Sequence, residues 1–67
     1  MATLIDRLLT PEETARYLRY KAQTLAFWRI KRMGPRFVKT GHSVRYRVSD
    51  LEDWIERRTV TTGTEED

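Results

Sequence analysis

Apolar positions recur along the chain in two rhythms, and the change of rhythm marks the elements. Ala15 and Leu18 lie three apart, with Tyr17 at the margin, just after Thr10-Pro11-Glu12-Glu13. That tetrapeptide is a strong helix start: Thr10 can cap, Pro11 suits the first helical position, and Glu13 can close a capping box. Glu12 and Glu13 also favour the positive end of the helix dipole. The pattern predicts a first helix over residues 11–19. Leu25 and Trp28, again three apart and flanked by Ala22 and the stem of Arg29, predict a second helix over 22–32. Gln23, Thr24, Phe27 and Lys31 fall on its other side. Only Arg19, Tyr20 and Lys21 join the two, and so short a link imposes the crossed arrangement of a helix-turn-helix.

Met33-Gly34-Pro35 stops the second helix, because proline lacks a donor and disfavours helical geometry before it. The rhythm then shortens to two. Phe37–Lys39 and Val44–Val48 read as strands joined by a turn at Thr40–Ser43. Val44, Tyr46 and Val48 share one face of the second strand, and Arg45 and Arg47 the other. A two-stranded hairpin is marginal alone, so it must lean on the helices. Ser49 is expected to open a last helix with a capping box to Glu52. Leu51, Trp54 and Ile55 supply its apolar face, and Arg57 and Arg58 its basic end. Trp28, Trp54 and Tyr46 are expected in the core rather than as stacking platforms for single strands. Leu4, Ile5, Leu8 and Leu9 form a short lead-in. The closing TVTTGTEED carries no apolar period and is expected to be a disordered acidic tail.

These elements predict an α+β domain, mostly α: a winged helix-turn-helix over residues 1–58, followed by the tail at 59–67. A chain of 67 residues has space for one small domain. No cysteine offers a disulfide or thiolate ligand, and the single histidine, His42, cannot build a zinc site or a catalytic triad alone. No metal or cofactor is expected. No run of about 18 apolar residues could cross a membrane, and MATLIDRLL lacks the features of a signal peptide. The expectation is a cytoplasmic protein.

Charge changes the picture most. Residues 1–58 hold all 13 basic residues against 7 acidic ones, a net +6, and no acid occurs between Thr14 and Ser49. Ten of the basic residues lie in that gap. A concentrated positive field on a small domain attracts polyanions, and nucleic acid is favoured over a merely solvated basic face. Gln23, Thr24, Phe27 and Lys31 are candidates for a face entering the major groove, where Gln can pair with adenine and Phe27 can meet a thymine methyl. Lys21, Arg29 and Arg32 are candidates for phosphate contacts. Arg16 and Arg19 could anchor the backbone from the first helix. In the wing the candidates are Lys39, His42, Ser43, Arg45 and Arg47. Glu12, Glu13, Asp50 and Glu52 stand in capping positions, so no catalytic dyad is expected, and neither is enzymatic activity.

Residues 8–58, LLTPEETARYLRYKAQTLAFWRIKRMGPRFVKTGHSVRYRVSDLEDWIERR, also resemble the excisionase-type helix-turn-helix family of phages and mobile elements. The winged helix of that family is related to that of the mercury-resistance regulators. The resemblance rests on LLTPEE with Ala15 and Leu18, on TLAFW, and on GPRFVKTGHSVRYRVSDLEDWI, in that order. The chain departs from the family pattern at Arg19 and Arg32, where glycine is common, and at Lys21, where serine or threonine usually opens the second helix. The resemblance implies binding to double-stranded DNA at a recombination attachment site, in several copies, with bending that helps a site-specific integrase excise a prophage. Head-to-tail self-association on DNA would fit such an array. A prophage transcription regulator is the second reading, and a protein-interaction adaptor such as an antirepressor the third. Neither a ligand-sensing domain nor a dimerisation coiled coil is expected, which favours the first. The acidic tail is expected to limit non-specific binding or to touch the recombinase.

Overall fold

The capping box written in the sequence forms as expected. The Thr10 hydroxyl accepts from the Glu13 amide at 3.1 Å, and the Glu13 carboxylate accepts from the Thr10 amide at 2.9 Å. Helix α1, Pro11–Leu18, starts from this reciprocal pair and buries Thr14 and Ala15. It stops one residue earlier than expected because Arg19 turns to φ 66°, ψ 40°, in the left-handed region. The Arg19 amide donates to Arg16 and the Tyr20 amide to Ala15, which makes a Schellman ending. Helix α2, Ala22–Lys31, ends in the same way, again one residue short of expectation. Arg32 sits at φ 59°, and the Met33 amide donates to the Trp28 carbonyl at 2.7 Å. Glycine normally fills such positions because it has no Cβ to clash. Here two arginines do.

The computed structural model describes residues 7–60. Leu4, Ile5 and most of the acidic tail lie outside the described residues. The lead-in corrects the two-stranded expectation, because Leu8–Leu9 forms a strand, β1. With β2, Val38–Thr40, and β3, Ser43–Arg47, it makes an antiparallel sheet of order β1-β3-β2. Leu9 faces Tyr46 across one side of β3, and Lys39 faces Val44 across the other. Gly41 and His42 form the turn between β2 and β3, with the positive φ at Gly41, as a type II′ hairpin requires. Phe37 precedes β2 rather than opening it.

Val48, expected as the last strand residue, is the first of helix α3, Val48–Arg57. Its amide donates to the Arg7 carbonyl at 2.9 Å, so pairing with the lead-in carries the chain directly from β3 into the helix. Ser49 therefore lies inside the first turn and is not the cap. Arg47 occupies the cap position, and its guanidinium meets the Asp50 carboxylate at 3.2 Å. The core joins Leu9, Tyr46 and Leu51, with Leu18, Val44 and Val48 packed against them. Leu25 is fully buried under α2. Trp28 and Trp54, expected in the core, are only partly buried and meet at 5.6 Å between ring centres. Tyr20 lies edge-on to Trp28, and Arg58 covers Trp54. Ile55, expected on the inner face of α3, is exposed. The whole is a small α+β winged helix-turn-helix, mostly helical.

Three stability predictions follow from these local features. Gly34 has φ +81°, and a Cβ there would sit 2.7 Å from Trp28 Cε3. Gly34→Ala is expected to destabilise the domain by about 1–3 kcal/mol, read as a lower urea midpoint at an unchanged m-value. Arg19→Gly and Arg32→Gly relieve about 1–2 kcal/mol of left-handed strain against about 0.4–1 kcal/mol of added unfolded-chain entropy. Each is expected to leave the domain equally stable or slightly more so in the same titration. The bond from the Thr10 amide, helped by the Thr10 hydroxyl and the charges of Arg16 and Arg7, holds the Glu13 carboxyl below its ordinary pKa. A lowered carboxylate pKa stabilises the fold above the unfolded-chain value, and that contribution fades as pH falls through the folded one. Glu13→Gln should therefore reduce the loss of Tm between about pH 6 and about pH 3.

Candidate nucleic-acid interface

Helix α2 turns Leu25 fully inward, with Trp28 partly buried nearby, and this orients everything opposite. At about 100° per residue, Gln23, Phe27 and Ile30 fall within a sector of about 60° on the far side. All three are exposed, Phe27 at 51% and Ile30 at 78%. Thr24, half-buried, and Lys31, exposed, lie together along one edge of this stripe, and the Lys31 ammonium lies 5.7 Å from the centre of the Phe27 ring. The structure thus brings Gln23, Thr24, Phe27 and Lys31 onto one surface. Ile30 was missed by the sequence reading, although it stands three residues after Phe27 and seven after Gln23.

The basic candidates divide by position. Lys21 is exposed at the extended residue that leads into α2, with no side-chain cap bond, and Arg32 is exposed where α2 ends. Arg29 is different: its guanidinium donates to the Tyr46 hydroxyl at 2.9 Å and lies 5.9 Å from the Phe37 ring centre. It is tied to the sheet, and it also lines both clefts beside Ile30. Lys39, His42 and Ser43 are exposed at the tip of the β2–β3 wing. Arg45 is half-buried, and its guanidinium donates to the Val44 carbonyl at 2.8 Å. Arg47 pairs across the sheet with Leu8, far along β3 from the tip, and engages Asp50. On α1, Arg16 is exposed but lines a cleft shared with Glu13 and Glu52, whereas Arg19 stands at the turn leading to Lys21.

Two clefts adjoin Ile30. One also takes in Arg32, Met33, Arg36 and Phe37; the other runs towards the wing, past Ala26 to Lys39 and His42. No acid lines either cleft. Arg36, exposed in the first of them, belongs to this surface, and the sequence analysis did not single it out. The gap in acidic residues along the chain has therefore become a continuous basic surface across α2 and the wing, with an apolar stripe in its middle. Among the described residues, no helix is long and apolar enough to cross a membrane.

A helix held out by a bracing helix, with a basic hairpin beside it, is the geometry with which such folds enter the major groove. The family model of the helix-turn-helix domain matches residues 8–59. No curated protein and no solved structure matches the chain. The match runs from β1 through the end of α3 and takes in every element of the fold, and the chain belongs to the helix-turn-helix domain family, whose architecture is suited to binding DNA.

Proposed function

We propose that the protein binds double-stranded DNA with α2 in the major groove and the β2–β3 wing along the backbone or in the adjoining minor groove. The observation that carries this reading is the acid-free surface shared by α2 and the wing. The major groove, about 12 Å wide, admits a helix of this diameter. Gln23, Thr24, Phe27 and Lys31 face the bases. Lys21, Arg32, Lys39, His42 and Ser43 contact the phosphates on either side, joined by Arg19 at the turn. Arg29 positions the helix through Tyr46. Arg16, Arg45 and Arg47 have protein neighbours close by and contribute less.

At a finer level, the protein is an excisionase-type factor without catalysis of its own. It binds a recombination attachment site in several copies, contacts its neighbours head to tail, and bends the duplex for a site-specific integrase. The likeness of residues 8–58 to that family supports this reading. Smooth bending of a 20–30 bp site costs about 1–6 kcal/mol, which several cooperating copies can offset.

A gel-shift titration tests both levels. Junction DNA from the source element is compared with a scrambled duplex of equal length, with the site placed centrally and then at one end. Discrete cooperative complexes on the junction alone, retarded most when the site is central, are expected. Affinity should fall by about 10³ or more between 50 and 200 mM salt if about six phosphates are contacted, and Lys21→Ala should flatten that slope by about one unit. Stimulation of excision in a reconstituted integrase reaction is the outcome expected of an excisionase. Repression of a linked promoter without that stimulation would instead establish a regulator, and salt-insensitive binding would point to a protein-interaction adaptor.

A further inference from the structure

We infer that Phe27 and Ile30 read the C5-methyl groups of two pyrimidines in the major groove, beside an adenine contacted by Gln23. This makes the preferred site rich in A·T pairs where α2 lies. The inference rests on the DNA-binding reading above and adds the chemistry of its specificity. The juxtaposition behind it is one exposed stripe, Gln23-Phe27-Ile30, bordered on both sides by cations.

Exposure is the first step. An isoleucine 78% open to solvent and a phenylalanine 51% open lie side by side on a helix whose core-facing side is already supplied by Leu25 and Trp28. Neither contributes much to folding where it stands, and together they form an apolar surface that wants a partner. The border then selects that partner. Lys31 stands over the Phe27 ring on one side, and Lys39 shares the cleft beside Ile30 on the other. An apolar strip between two cationic edges complements a groove whose floor carries methyl groups and whose walls are phosphates. The major groove over A·T pairs has this character, because thymine presents a C5-methyl there and adenine a donor–acceptor pair that suits glutamine. An apolar surface of a second protein would leave the two cationic edges without their anions.

Length fits as well. Gln23 and Ile30 are seven residues apart, about 10.5 Å along the helix at about 1.5 Å per residue. That is close to three base-pair steps at about 3.4 Å each. One amide and two apolar side chains thus fall within a span of about four base pairs. A 5-methylcytosine offers the same methyl in the same place, so methylation of a cytosine at a contacted position is predicted to substitute for thymine there in part.

The test starts from duplexes selected by the full-length protein from a random-sequence pool. The selected duplex is resynthesised with 2′-deoxyuridine in place of thymine, which removes only the methyl. Wild-type protein is expected to bind the uracil duplex about fourfold more weakly per contacted methyl, the worth of one buried methylene-sized group. Phe27→Ala and Ile30→Ala, both at exposed positions, should each erase the difference at one position while leaving the salt slope and the unfolding midpoint unchanged. Equal affinity for thymine and uracil duplexes, with sequence selection intact, would overturn the methyl reading alone. Failure to select any duplex would overturn both it and DNA binding. A change in DNA-free sedimentation on Ile30→Ala would overturn it in favour of a contact between copies of the chain.

Discussion

The orientation of the basic surface shared by α2 and the wing depends on one buried side chain, Tyr46. It sits at the middle of β3, 1% exposed, packed with Leu9 of β1 and Leu51 of α3. A tyrosine buried to this extent needs a partner for its hydroxyl, and the Arg29 guanidinium from α2 provides one. The same ring lies 6.1 Å from Phe37, which Arg29 also overlies. Through this single residue the sheet, the closing helix and α2 are held in one geometry. The Arg29–Tyr46 bond thus ties the sheet that carries the wing to the helix beside it, and the two present their basic residues on one side. It also explains why an arginine in the middle of the acid-free segment is spent on the protein's own interior: a charge-assisted bond in a half-buried place fixes direction better than a surface contact would.

What could be read from the chain depended on whether the signal was local. The start of α1 was legible because its capping box is made entirely of residues within four positions of one another. The short β3 was legible because alternation of valine and tyrosine with arginine leaves one register that buries the apolar set. β1 was not legible, since two leucines carry no period, and their pairing with Arg47 and Tyr46 is a tertiary fact. The start of α3 failed for the same reason. Ser49 has the stronger local preference for a cap, but the Val48 amide is already claimed by the Arg7 carbonyl, and this fixes the helix one residue earlier. Arg19 and Arg32 stood out as departures from a glycine pattern, but only backbone geometry reveals that both take the left-handed conformation that glycine would have made easy.

Those two arginines bear on how function and stability divide in so small a domain. Each ends a helix at a position where the backbone satisfies its own carbonyls through a Schellman turn, so the side chain is not needed for the fold. Each is exposed, one at the turn into α2 and one at its far end. A non-glycine residue in this conformation is a cost carried locally and compensated elsewhere, and such costs collect at working surfaces. In the proposed pose a permanent positive charge at both ends of α2 is a benefit of the right kind, because phosphates flank a major-groove helix at both ends.

Helix α2 has no clean polar side. A surface helix in a globular domain separates apolar from polar residues around its circumference, as α3 does with Leu51 against Glu52, Asp53 and Glu56. Helix α2 instead carries Leu25 and Trp28 towards the protein and Phe27 and Ile30 away from it. As a helix of the protein alone, that pattern is unfinished. As a helix with two interfaces it is complete: one apolar side closes the core, and the other, bordered by cations, is shaped for the proposed groove, apolar in the middle and anionic at the edges.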